Sequence, residues 1–207
     1  MIGVIDYGIG NLRSVQKALQ RVGGDAQLVT APEQIARAVK IVLPGVAAFG
    51  DAMDQFRRRG LIEPVRDAIA RGVPYLGFCL GLQLLFETSS EDGQHAGLGV
   101  LPGKVVRFDA QALASGQRRL PVPHMGWNQL HIRRPCPMLE GIADGDYVYF
   151  AHSYHVVPAD ETVVVTTTDY GYDFVSSVAR DNVFATQFHP EKSQAVGRRL
   201  LENFVRL

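Results

Sequence analysis

The chain opens with Ile2-Gly3-Val4-Ile5, then the turn Asp6-Tyr7-Gly8-Ile9-Gly10-Asn11, then a run in which Leu12, Val15, Leu19 and Val22 recur before Gly23-Gly24. The first four residues read as a short buried strand. The later apolar spacing of three and four residues marks one face of a helix, and the paired glycines close it. The same unit repeats outward along the chain. Ala26–Thr30 and Lys40–Leu43 read as strands, with a short helix between them beginning near Pro32. Helices are expected over 48–59 and 62–71, followed by a strand over Val73–Phe78. Strands alternating with helices imply right-handed βαβ units and a mostly parallel sheet covered on both faces.

The second half changes texture. Residues 103–108, 127–132, 146–151, 162–168, 173–180 and 183–188 are short, β-rich and separated by turn residues, which predicts added antiparallel strands. Asp109–Leu120, rich in Gln, Ala, Ser and Gly, is expected to be a mobile loop. A helix closes the sequence, capped by Ser193 and buried through Val196, Leu200, Leu201, Phe204 and Val205. No repeat or linker interrupts the pattern. The expectation is one domain over 1–207: α/β, flavodoxin-like and three-layered, with a mostly parallel central sheet and added antiparallel strands in the C-terminal half.

Composition narrows the function. Of 207 residues, 46% are hydrophobic and 20% charged, which excludes intrinsic disorder. The 21 basic residues balance the 21 acidic ones, so no electrostatic footprint points to nucleic acid or an anionic membrane. Arg57-Arg58-Arg59, Arg118-Arg119, Arg133-Arg134 and Arg198-Arg199 are too short for polybasic patches and read as solvated faces. The start lacks a signal peptide's basic region, and nowhere do 18 apolar residues run together. A cytoplasmic location is expected. Cys79 and Cys136 are then thiols: inert core, metal ligands or nucleophiles.

Gly77-Phe78-Cys79-Leu80-Gly81 joins an apolar strand to the amphipathic run Leu80–Glu87, read as a helix with Leu84 and Leu85 inward. A nucleophile on such a turn is exposed and strained, and glycines two residues either side allow the tight backbone. The helix would turn N–H groups toward the sulfur and favour the thiolate. A buried structural cysteine between packing glycines is the plainer alternative. Gln187-Phe188-His189-Pro190-Glu191 supplies what a cysteine nucleophile needs, a base and an acid to orient it. Leu43-Pro44-Gly45-Val46-Ala47 can present a backbone donor beside the N–H of Leu80 for a developing oxyanion. All three segments fall at carboxyl ends of strands, where open α/β sheets bind ligands.

These segments, with Pro123-His124-Met125-Gly126-Trp127-Asn128 and Tyr149-Phe150-Ala151-His152-Ser153-Tyr154, resemble the class I glutamine amidotransferases. More narrowly the chain is similar to the glutaminase subunits of imidazole glycerol phosphate synthase, over essentially its whole length. The resemblance implies hydrolysis of L-glutamine to glutamate and ammonia through a cysteinyl thioester. It implies that Cys79 is the nucleophile, His189 the base and Glu191 its orienting acid. It places the oxyanion hole at the backbones of Val46 and Leu80, and glutamine contacts at Gly45, Gln83, His152, Ser153 and Tyr154. It implies a heterodimer with a cyclase subunit, a (β/α)₈ barrel that receives ammonia and makes imidazole glycerol phosphate and AICAR in histidine biosynthesis. The docking face would include Asn11, His124, Met125, Trp127 and Tyr149. No cofactor and no metal are implied. One departure stands out: the family's Pro-Gly-Val-Gly is Pro-Gly-Val-Ala here, and a Cβ at Ala47 disfavours positive φ, so any flip of the Val46 peptide should be harder.

Other features are given plainer readings. Gly8-x-Gly10 lacks the third glycine of a dinucleotide fingerprint, since Arg13 stands there. His152-x-x-His155 on one strand would point its rings to opposite faces and is not expected to bind metal. Cys136, between two prolines, has no base nearby in sequence. Two alternatives stay open from sequence: a glutaminase serving another acceptor, as in pyridoxal phosphate or anthranilate synthesis, and a binding module whose cysteine is merely buried.

Overall fold

The computed structural model describes residues 1–114 and 120–207. The N-terminal half follows the expected alternation: β1 (Ile2–Ile5), α1 (Leu12–Arg21), β2 (Ala26–Val29), α2 (Pro32–Arg37), β3 (Lys40–Leu43), α3 (Phe49–Arg58), α4 (Ile62–Ala70) and β4 (Tyr75–Phe78). These strands are parallel neighbours in the order β2-β1-β3-β4. Successive side chains enter opposite layers, as a two-residue period requires. Ile2, Val4, Val42, Leu76 and Phe78 pack in a core with Val15 and Leu19 of α1. Ile5, Ile41, Leu43 and Tyr75 pack in the other with Phe49, Phe56 and Val65 of α3 and α4. The result is the expected three layers.

The rest of the chain comprises α5 (Leu80–Gln83), β5 (Phe86–Ser89), β6 (His95–Ala96), β7 (Leu101–Arg107), α6 (Ala110–Ala114), β8 (His124–Gln129), β9 (His131–Ile132), β10 (Tyr147–His152), β11 (Tyr154–Pro158), β12 (Val164–Asp169), β13 (Asp173–Arg180), β14 (Val183–Thr186) and α7 (Gln194–Arg206). The central sheet continues past β4 as β14-β13-β12-β9. Strands β13, β12 and β9 are antiparallel additions. Strand β14 departs from that expectation. Its hairpin with β13 turns it back alongside β4 in parallel, so it is the fifth strand of the parallel set. Two further sheets, β10-β8 and β11-β7-β5-β6, stand apart from the central one. Within the second, β5 and β7 pair in parallel, again against the expectation.

Three local readings need correction. The helix after Cys79 ends at Gln83 rather than continuing to Glu87, because Phe86–Ser89 is drawn off to pair with β7 and β6. Its dipole is that of about one turn, although Leu84 and Leu85 are buried as expected. The expected loop begins as helix α6, since Asp109 accepts bonds from the backbone N–H of Gln111 and Ala112 and Leu113 is buried. Residues 115–119 of that stretch, with Arg118-Arg119, lie outside the described residues. Ser193 holds the N-cap position of α7 but does not cap it; its hydroxyl donates to the His189 carbonyl and accepts from the Tyr149 N–H. Several basic clusters meet carboxylates at the surface, as solvated faces do: Arg57 with Asp54, Arg133 with Asp173, Arg198 and Arg199 with Glu202.

Candidate active site

Cys79 follows the last residue of β4 with φ 50° and ψ −102°, a region that non-glycine residues enter only when their surroundings impose it. The surroundings are two close backbone approaches. A Cβ on Gly77 would stand 2.5 Å from the Gly81 carbonyl oxygen, and one on Gly81 would stand 1.8 Å from that of Leu43. Only glycine fits either position. The Cys79 N–H donates to the Thr186 carbonyl (2.7 Å), which ties the elbow to the end of β14.

The parallel pairing of β4 with β14 sets Phe78 opposite Thr186, so the chain leaving β14 passes beside the cysteine. There the His189 N–H donates to the Tyr149 carbonyl, and Pro190–Lys192 forms one 3-10 turn. That turn folds Glu191 back until its Oε1 lies 2.9 Å from His189 Nδ1. Both side chains are almost wholly buried. Burial by itself would lower the imidazole pKa. The neighbouring Cys79 sulfur and the Glu191 carboxylate more than offset this and push it up to about 10. With Nδ1 engaged by Glu191, Nε2 is the atom turned to the reaction; among the described residues it has no hydrogen bond of ordinary geometry.

A cleft of about 540 Å³ covers this centre. Val46, Leu80, Gln83, His152, Ser153 and Tyr154, all expected at the site from sequence, line it together with Cys79 and His189. Gly45 sits just behind, where a Cβ would meet the Tyr7 hydroxyl at 2.6 Å and Leu80 Cβ at 2.8 Å. Ala47 is not among the residues with positive φ, so this conformation of the loop makes no demand for glycine there. Asn11 and Met125 also line the cleft.

The expected docking residues divide by parity along β8. Met125 (64% exposed) and Trp127 (45%) point outward, and Trp127 meets Tyr149 edge-on at 6.0 Å. His124 points the other way and is buried, stacked on Tyr170 and Phe150. It therefore does not belong to the outer face, contrary to the expectation. Tyr147 on β10 is exposed and was not anticipated.

The reading of His152 and His155 also needs correction. The chain breaks between β10 and β11 at Ser153, so the two rings do not diverge; both pack on Phe108, at 5.1 and 5.0 Å. His152 accepts from His124 across 3.2 Å and donates to the Tyr154 carbonyl, and burial holds its pKa well below the ordinary value. Sequence reasoning also missed Gln187, Ala151, Glu91 and Tyr7. Gln187 Nε2 lies 3.5 Å from Cys79 Sγ and the Ala151 carbonyl 4.0 Å. Glu91 lines the cleft while accepting from the Phe49 N–H, and burial pushes its pKa up. Tyr7, fully buried under Gly45, has a hydroxyl without a partner among the described residues, and burial, with Cys79 and Asp6 nearby, raises its pKa strongly. Only Gln187 carried a signal in the sequence, its place two residues before His189.

Comparison with known proteins agrees with this geometry. The family model for glutamine amidotransferase class-I matches residues 3–207. The imidazole glycerol phosphate synthase subunit HisH of Syntrophotalea carbinolica is 55% identical over 99% of this chain and 98% of its own. That of Salinibacter ruber is 54% identical over 100% and 94%. Among solved structures, PurLQS from Thermotoga maritima superposes with a TM-score of 0.76 at 20% identity, over 99% of this chain and 97% of that one, which speaks for the fold. A fold of this type, an elbow cysteine beside a His–Glu pair, and full-length identity above one half lead to one conclusion: the chain belongs to the class-I glutamine amidotransferases and, within them, to the family of HisH subunits of imidazole glycerol phosphate synthase.

Proposed function

We propose that this chain hydrolyses L-glutamine to glutamate and ammonia through a thioester on Cys79 and passes the ammonia to a separate cyclase subunit, which makes imidazole glycerol phosphate and AICAR. The observation that carries the reading is Cys79, held at positive φ beside His189, which Glu191 in turn orients, in a chain more than half identical to HisH subunits along its full length. The Cys79 thiolate attacks the side-chain carboxamide carbon of glutamine. The oxyanion is received by the N–H groups of Val46 and Leu80. His189, whose raised pKa keeps it protonated at neutral pH, gives its Nε2 proton to the departing amine, and the C–N bond breaks to release ammonia. His189 then takes a proton from water, the hydroxide attacks the thioester carbonyl, and the thiolate leaves with glutamate. Every group in this scheme is a side chain or backbone N–H of the chain itself, and no cofactor enters.

Residues 1–207 act as one domain in this reading. The ribbon β10-β8 supports a docking face of Met125, Trp127 and Tyr149 with Asn11, because exposed aromatics there adjoin the mouth of the cleft. His124 is left out of it. No helix among the described residues is long and apolar enough to cross a membrane, and we place the reaction in the cytoplasm. The test is covalent labelling with a diazo-ketone analogue of glutamine. Mass spectrometry should find the adduct on Cys79 and none in Cys79→Ser. An unlabelled wild-type chain in complex with its cyclase would defeat the proposal.

A further inference from the structure

Around the sulfur of Cys79 the amides are oriented by their partners. The Tyr154 carbonyl can only accept, so Gln83, 3.0 Å from it, must present its NH₂ group there. The second N–H of that group points to Gln187, 3.2 Å away, and so the end of Gln187 facing Gln83 must be its carbonyl oxygen. The NH₂ of Gln187 is thereby turned to Cys79 Sγ, at 3.5 Å, a usual length for an N–H···S bond. No amide flip satisfies the set otherwise. Gln187 is 0% exposed and its backbone N–H is fixed to the Ser176 carbonyl.

From this geometry we infer that Gln187 is a donor to the Cys79 thiolate, and that Gln83, besides lining the cleft, is the positioning residue that aims it. The inference rests on the glutamine-hydrolysis reading for its use, though its first measurement is independent of glutamine. A neutral thiol is a weak acceptor and a thiolate a strong one, so a fixed N–H aimed at the sulfur favours the anion. The same donor serves both halves of the reaction, holding the attacking thiolate before the thioester forms and receiving it again when the thioester is hydrolysed. Unlike His189, which gives up a proton in the first half and takes one in the second, the Gln187 amide keeps its N–H toward the sulfur throughout.

The test is the pH dependence of iodoacetamide alkylation of Cys79 in the full chain, wild type against Gln187→Met, which keeps the length and removes the donor. The midpoint should rise by about one pH unit. Since thiolate nucleophilicity grows with basicity, with a slope of about 0.4–0.5, the limiting rate at high pH should rise about threefold while the rate below the midpoint falls about threefold. A crossing of the two profiles is not something local disorder produces. In the cyclase complex, kcat for glutamine should fall with KM within about twofold of wild type. Gln83→Leu should move the profile the same way by less. Should Gln187→Met fail to fold, Gln187→Glu keeps the bond from Gln83 and replaces the donor by a carboxylate, and must show the same upward shift. Superimposable profiles in a folded variant overturn the inference. A wild-type Cys79 that resists alkylation at every pH and a complex without glutaminase activity would instead strike at the proposed function.

Discussion

Two buried histidines, His189 in the cleft and His124 behind its His152 wall, have pKa values displaced in opposite directions. His189 is 2% exposed and its pKa is pushed up to about 10; His124 is 3% exposed and its pKa is pushed down to about 4. Burial lowers both. What separates them is the company each keeps. His189 has a carboxylate at 2.9 Å and the cysteine sulfur close by. His124 has the rings of Phe150 and Tyr170, the Asn128 amide and a second neutral imidazole, His152. Desolvation sets the size of the penalty on charge, and a fixed counter-charge decides whether it is overcome. One pocket is built to hold a proton at neutral pH and the other to refuse one.

The comparison breaks most visibly at its charged side. Cys79→Ala and His189→Ala should each lower glutamine hydrolysis at least about 10³-fold. The Cys79→Ala complex should still make imidazole glycerol phosphate from ammonium salts at alkaline pH. Loss of both activities together would mean that the chain does more than supply ammonia. Glu191→Gln keeps the shape and removes the counter-charge. The His189 titration, followed by NMR of the ring, should move down by more than one unit, and hydrolysis should fall about 10²-fold yet remain measurable. A variant as inactive as Cys79→Ala would show that Glu191 does more than orient.

On the neutral side the effect is on stability. The folded pKa of His124 lies below its unfolded value of 6.5, so between the two the unfolded chain binds the proton first. Stability from this site is fully present above pH 6.5 and lost as pH falls toward 4, by about 3 kcal/mol. Denaturant unfolding of wild type and His124→Gln at a series of pH values should show a flatter acid limb in the variant. Parallel limbs would assign the acid sensitivity elsewhere. For His189 the sign is reversed: its contribution is present below pH 6.5 and lost as pH rises through about 10. The smallest expected effect is at Ala47. Restoring glycine there should raise the glutaminase activity of the uncomplexed chain by about two- to fivefold, corresponding to the 0.5–1 kcal/mol that separates the two residues' backbone freedom. No change in the basal rate would show that positive φ at this position is never used.

The N-terminal half was legible because its strands are short runs rich in Val, Ile and Leu, and α1, α3 and α4 carry apolar faces followed by Gly23, Gly60 and Gly72. The cysteine elbow was legible for a related reason: Gly77 and Gly81 mark close approaches that no other residue permits. Beyond β4 the signals weaken. The direction of β14 depends on a hairpin that places it between β13 and β4, and nothing in Val183–Thr186 encodes that. The burial of His124 could have been read, since it has the opposite parity to Met125 and Trp127 on one strand. The break at Ser153, which separates β10 from β11 and brings His152 and His155 to one ring, has no turn residue beyond a serine to announce it. Gln187 could not be assigned, because its role depends on which atom of a distant amide faces it.

The bond from the Cys79 N–H to the Thr186 carbonyl has a consequence for the order in which the protein acquires its reactivity. Gln187 lies 108 residues beyond Cys79, and synthesis at roughly 5–20 residues per second puts on the order of ten seconds between their appearances. During that interval β1 to β4 can pair among themselves, but β4 remains an open edge and the cysteine has neither its base nor its amide donor. A nascent chain therefore carries a thiol without a hydrolase. Closure by β14 is a long-range event, slow by topology, and it delivers the partner strand, the base and the thiolate donor in a single docking step.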